Sequence, residues 1–160
     1  VLVVDSAITD TDMGRLLAGR WRVAASTVPW WSLDGRRSPE IEYSTLHSAP
    51  LRLRGVARYR SADGGAHQLE GIDEYRRGEF VWHGRGVRRL TPTRWRLTGI
   101  SESAKVVVLQ RDRSLGFAGG IDVLQRPDTR ADARALVAGE ASNYGIGLEQ
   151  FASLSWFSRP

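Results

Sequence analysis

From about residue 19 to residue 126, apolar and polar side chains alternate in short runs separated by turn-forming residues. Period-2 alternation marks strands with one buried face. It predicts strands over 20–28, 41–47, 51–60, 67–76, 79–86, 93–100, 105–112 and 115–126, eight in all, joined mostly by connections short enough for antiparallel neighbours. Upstream, residues 10–18 predict one short helix, capped by Asp10 or Asp12, with Met13, Leu16 and Leu17 on one side. After Arg126 the period changes. Asp128 or Thr129 can cap a helix running to about 144, with Ala133, Leu136, Val137, Ala141 and Tyr144 forming an apolar stripe and Gly145 or Gly147 ending it. Residues 148–157 then read as extended chain with Phe151, Leu154, Trp156 and Phe157 available for docking.

The run from Leu51 to Arg60 places four arginines on one strand face and Leu51, Leu53, Ala57 and Tyr59 on the other. A three-residue turn at Asp63-Gly64-Gly65 would set Arg58 opposite Glu70 and Arg54 opposite Glu74. That register turns Leu69, Gly71, Asp73 and Tyr75 inward. The same alternation turns Phe80, Trp82, Trp95, Leu97, Val106 and Val108 inward, although on 105–112 the face carrying Lys105, Val107, Leu109 and Arg111 competes. The architecture expected is all-β: a closed, eight-stranded antiparallel up-and-down barrel with a short N-terminal helix and one C-terminal α-helix packed outside. An open sandwich is the rival. At 160 residues the chain is expected to be one domain, with the barrel over 19–127.

Composition removes several function classes. There is no cysteine, hence no disulfide, thiolate nucleophile or cysteine-ligated metal. His47, His67 and His83 sit on separate strands with no metal-ligand spacing, and no phosphate loop, dinucleotide fingerprint or serine elbow occurs. The expectation is therefore no metal and no cofactor. The net charge is +5, but the arginines are spread along the chain among acidic residues, which argues against a nucleic-acid partner. Val1-Leu2-Val3-Val4 is too short for the apolar core of a signal peptide, and no lipid-acceptor cysteine follows, so the sequence carries no visible membrane anchor and leaves membrane contact and oligomeric state open.

Gly19-Arg20-Trp21 at the start of the first strand, after a short helix, and Val123-Leu124-Gln125-Arg126-Pro127 at the end of the eighth, before another helix, resemble the lipocalin family of the calycin group. Two further stretches, Ile41-Glu42-Tyr43-Ser44-Thr45-Leu46 and the segment from Arg126 to Phe151, are similar to its bacterial lipocalin and apolipoprotein D branch. The resemblance implies that Arg126 packs across the Trp21 indole and closes the barrel floor, with Gly19 at the strand start. It also implies that the loop Val28-Pro29-Trp30-Trp31-Ser32-Leu33-Asp34-Gly35 lies over the open end.

Two adjacent tryptophans in such a loop suit a lid or a ligand wall. The remaining candidate ligand contacts are Tyr43, Leu53, Tyr59, Leu69, Tyr75, Phe80, Trp82, Trp95, Leu97, Val106 and Val108, some of which must be plain core. Tyrosine hydroxyls could bind a ligand carbonyl or carboxylate. Asp73 is the one acid directed inward, where an unpaired carboxylate is expensive. The leading expectation is a protein that binds, transports or sequesters a small hydrophobic ligand, such as a fatty acid, lysolipid or apolar metabolite. The alternative is a cofactor-independent enzyme that moulds an apolar substrate for cyclisation or isomerisation, with Asp73, Tyr75 and His83 as candidate catalytic residues. A third reading sets the arginine faces against an acidic partner.

Overall fold

The computed structural model describes residues 8–159; the reading of Val1–Val4 lies outside them. Helix α1 (Asp10–Leu17) precedes strands β1 (Gly19–Ser26), β2 (Arg37–Ser48), β3 (Leu51–Arg60), β4 (Ala66–Arg76), β5 (Glu79–Gly84), β6 (Thr93–Ile100), β7 (Val106–Arg111) and β8 (Gly120–Gln125). Helices α2 (Ala133–Gly139) and α3 (Leu148–Ala152) and the two-residue strand β9 (Ser155–Trp156) follow. From β1 to β8 each strand pairs antiparallel with the next, and β1 also pairs with β8, closing the barrel. No helix among the described residues is long and apolar enough to cross a membrane.

The apolar residues divide into two clusters. One fills the barrel, running from Trp21, Leu17 and Met13 through Leu53, Phe80 and Trp95 to Trp31. The other lies outside, where Ala133, Val137, Tyr144, Ile146 and Leu154 cover the outer faces of β1, β7 and β8. Those three strands are therefore apolar on both faces, and alternation no longer tells inside from outside. This corrects the parity on β7. Val106 and Val108 belong to the outer cluster, whereas Val107 and Leu109 face the barrel interior.

Other departures have equally local causes. The β3–β4 hairpin pairs Arg60 with Ala66 and Arg58 with Gln68, two residues from the expected register. Ser61 and His67 widen the turn to five residues through bonds from Ser61 to the Gly65 carbonyl and between Ser61 and the His67 ring. A two-residue slip preserves the faces but changes the partners. Glu70 receives Arg54 at 2.7 Å and Arg85 at 2.6 Å, while Arg58 reaches back to Glu42 at 2.7 Å. Strand β8 starts only at Gly120, because a bridge between Ser114 and Phe117 and a left-handed Gly116 (φ 83°) fold residues 112–119 into a loop. Thr9 caps α1 by accepting from the Asp12 amide. Asp132 caps α2, which is only seven residues long and passes into a 3₁₀ turn ended by left-handed Gly145. The tail is not extended throughout: α3 interrupts it before β9 pairs with Ala25 and Ser26 of β1.

At the barrel floor the Arg126 guanidinium carbon lies 3.8 Å from the centre of the Trp21 ring. The same guanidinium donates to the Leu16 carbonyl at 2.7 Å and the Arg20 carbonyl at 3.2 Å, and the Trp21 indole donates to the Leu17 carbonyl at 2.8 Å. One side chain thus joins the C-terminal turn of α1, the start of β1 and the end of β8. Gly19 has φ 101°, and a β-carbon there would stand 3.0 Å from the Arg126 guanidinium, so the closure needs glycine twice over. Replacement of Arg126 by Lys keeps the charge but loses the flat fork and the stack. Arg126→Lys is expected to lower stability by about 1–3 kcal/mol in urea unfolding, and a variant equal to wild type would remove the floor contact from any structural role.

Candidate functional site

Above the floor the interior is solid. Tyr75 packs against Phe80 with ring centres 4.7 Å apart, Phe80 stacks on Trp95 at 4.1 Å and 9°, and Trp95 meets Tyr43 at 5.9 Å. Leu53 and Leu97 complete this packing. Beyond it, toward the end carrying the β1–β2, β5–β6 and β7–β8 loops, is a cavity of about 80 Å³. That is space for roughly five to eight water molecules, or a compact ligand in their place.

Pro29 starts the 3₁₀ turn Pro29–Trp31, which aims both tryptophans at the cavity mouth. Trp31 is buried, and its indole donates to Asp122 Oδ1 at 3.1 Å. Trp30 is half-buried and sits edge-on to Tyr59 at 5.4 Å, with the Arg36 guanidinium 4.7 Å from the Trp30 ring and 4.2 Å from the Tyr59 ring. Trp82 and Phe117, ring centres 6.2 Å apart, complete the mouth. Ala57, Leu69 and Ile41 form apolar wall.

The polar groups of this cavity are few and buried. Asp73 is 2% exposed, and its Oδ1 accepts from the Trp95 indole at 2.6 Å. Burial pushes its carboxyl up to about 6, against the opposing pull of the Trp95 hydrogen bond and the Arg111 charge. Arg111 donates through Nε to Asp122 Oδ2 at 2.5 Å. Burial works against its charge, but Asp122 and Tyr43 hold its pKa above the ordinary arginine value. Asp122 is fully buried, and its Oδ1 also accepts from Ser26 Oγ at 2.6 Å. The Tyr43 hydroxyl is hydrogen-bonded to Arg111, and burial followed by the Asp73 charge drives its pKa up, so Tyr43 stays neutral. Among the described residues no group of three or more metal-ligating side chains converges.

The structure thus brings Trp30, Trp31, Tyr43, Leu69 and Trp82 to the cavity. It leaves Leu53, Tyr75, Phe80, Trp95 and Leu97 in the packing beneath, Tyr59 behind Trp30, and Val106 and Val108 outside the barrel. The three candidate catalytic residues do not meet. Asp73 lines the cavity, Tyr75 lies at the floor side near Asp10, and His83 is on the outer face with Glu74, Arg76 and Arg94. His83 alternates with Trp82, so with Trp82 turned inward it faces out, where the strand period puts it. Sequence reasoning missed Arg111, Asp122 and Phe117. An inward acid at 73 calls for a cation within the barrel, and Arg111 shares a face with Val107 and Leu109; Phe117 was hidden by reading its loop as strand.

No family model matches the sequence, and no curated protein matches it. Solved structures do match. Lobster apocrustacyanin A1 is 13% identical with a TM-score of 0.63, over 100% of this chain and 91% of that one. A bovine lipocalin allergen is 10% identical with a TM-score of 0.58, over 89% and 93%. An odorant-binding protein is 9% identical with a TM-score of 0.56, over 98% and 94%. The chain has the lipocalin fold.

Asp73 also makes a stability prediction. Its carboxyl rises from 3.8 in the unfolded chain to about 6 in the fold, so folding favours the protonated form. The contribution is fully present below about pH 4 and is lost as pH rises through 6; above that, ionised Asp73 costs about 3 kcal/mol. Asp73→Asn keeps an acceptor for Trp95. It is expected to raise the melting temperature at pH 8 and to change it little at pH 4, as read by thermal unfolding monitored with circular dichroism.

Proposed function

We propose that this protein binds a compact apolar ligand in the cavity beneath Trp30 and Trp31. The observation that carries the reading is a pocket walled by five aromatic side chains and several aliphatic ones, with a few polar groups at its base. Such a site binds by removing apolar ligand surface from water, about 25 cal/mol per Å², less the cost of immobilising the ligand. The polar base then fixes which end enters first. The named role of one structural neighbour, odorant binding, fits a ligand of this size. The volume of about 80 Å³ favours a compact metabolite over a fatty acid or lysolipid, whose chain would have to displace the Tyr43–Trp95–Phe80 stack. The stretch Ile41-Glu42-Tyr43-Ser44-Thr45-Leu46 and the strand–helix segment from Arg126 to Phe151 are the features that support a place near the bacterial lipocalin and apolipoprotein D branch.

Native mass spectrometry of freshly purified protein, beside an organic extract, tests the reading. A retained small apolar molecule is expected, together with quenching of tryptophan fluorescence by 3-phenylpropan-1-ol. Leu69→Trp, which fills the cavity from a half-buried position, should abolish quenching while leaving the circular dichroism spectrum unchanged. Binding unaffected by that substitution would move the site elsewhere.

A further inference from the structure

Resting on the reading of this cavity as a ligand site, the geometry points to a preference for ligands whose polar end is an ammonium or a neutral hydrogen-bond donor, with carboxylates excluded. The groups of the barrel interior that face Asp73 are Tyr43 on β2, Trp95 on β6, Arg111 on β7 and, behind Arg111, Asp122 on β8. Tyr43 and Trp95 are neutral. Arg111, whose side chain is largely buried, is the single cation among them, and Asp122 at 2.5 Å already neutralises it. Asp122 is itself saturated: Ser26 and Trp31 donate to one oxygen and Arg111 to the other. What remains is Asp73, one carboxylate with no cation of its own.

The placement of Asp73 makes that surplus available to a ligand. Oδ1 takes the Trp95 indole, whereas Oδ2 receives no hydrogen bond among the described residues. Oδ2 lies against the cavity wall at Gly55, where a β-carbon would stand only 2.8 Å from it. The bare backbone of Gly55 leaves the carboxylate uncovered toward the space enclosed by Tyr43, Trp82 and Trp31. An ammonium or O–H donor there would fill the open oxygen and balance the charge. Aromatic faces add to the attraction for a cation. A ligand carboxylate would place a third anion beside one guanidinium in a poorly solvated space, which costs strongly.

Three ligands of the same carbon count test this: 3-phenylpropylamine, 3-phenylpropan-1-ol and 3-phenylpropionate, titrated by tryptophan fluorescence and confirmed by calorimetry at pH 8. The amine is expected to bind at least tenfold more tightly than the carboxylate, with the alcohol between them. In Asp73→Asn the amine's advantage over the alcohol should disappear. In the unaltered protein that advantage should fall as pH drops from 8 to 5, a range over which neither amine nor alcohol changes charge, so the test stands even if the variant misfolds. If the alcohol binds but the carboxylate equals or exceeds the amine, the charge preference is overturned and the binding reading survives. An amine advantage that is insensitive to both pH and Asp73→Asn also overturns it. If none of the three binds, the cavity is not a ligand site and both fall.

Discussion

A sheet of eight antiparallel strands has two edges, and whatever draws β8 onto β1 removes both. In this chain β1 does so by dividing its pairing. Its first half, Gly19 to Arg22, lies along β2, and its second half, from Arg22 to Ser26, lies along β8. Arg126 locks the junction from below by covering Trp21 and holding the carbonyls of Leu16 and Arg20. Above Arg22, where β2 has turned away, β9 takes over the vacated edge through Ala25 and Ser26. Floor, wall and tail are therefore solutions to one requirement, that no strand of the cylinder be left with unpaired backbone at the place where chain start and chain end meet.

Closure also decides where polar groups can be afforded. Beneath the cavity the interior contains stacked rings and leucines, and the polar side chains lie in one layer around Arg111. That layer joins three structural levels. The Arg111–Asp122 pair crosses from β7 to β8, whose register sets Leu109 against Asp122. Ser26 and Trp31 bring β1 and the loop over the mouth onto the same carboxylate. Removing one member would leave a buried charge without its counterpart, which is why such a set is held together as a unit.

The sequence disclosed the elements best where one strand face is wet. Strands β3 and β6 begin and end where the alternation puts them, because arginines and threonines on the outer face contrast with Leu53, Trp95 and Leu97 inside. On β7 the contrast vanishes: Val106, Val107, Val108 and Leu109 are all buried, two under the C-terminal segment and two in the barrel. No pattern in six residues can distinguish the two coverings. The site suffered for the same reason, since the wrong face of β7 conceals Arg111 and substitutes two valines for it. The inward direction of Asp73 was legible from the hairpin, even with its register two residues out, because a two-residue slip returns every side chain to its own face.

The two tryptophans of the mouth are tied down in different ways. Trp31 is fastened through its indole nitrogen to a carboxylate inside the barrel, whereas Trp30 rests on Tyr59 and Arg36 at the water boundary. A passage into the interior that opened at Trp31 would break its bond to buried Asp122, while one at Trp30 would part ring contacts and the bond that half-buried Arg36 makes to the Trp30 carbonyl. The rim of this vessel is accordingly anchored to the barrel interior on one side and at the water boundary on the other.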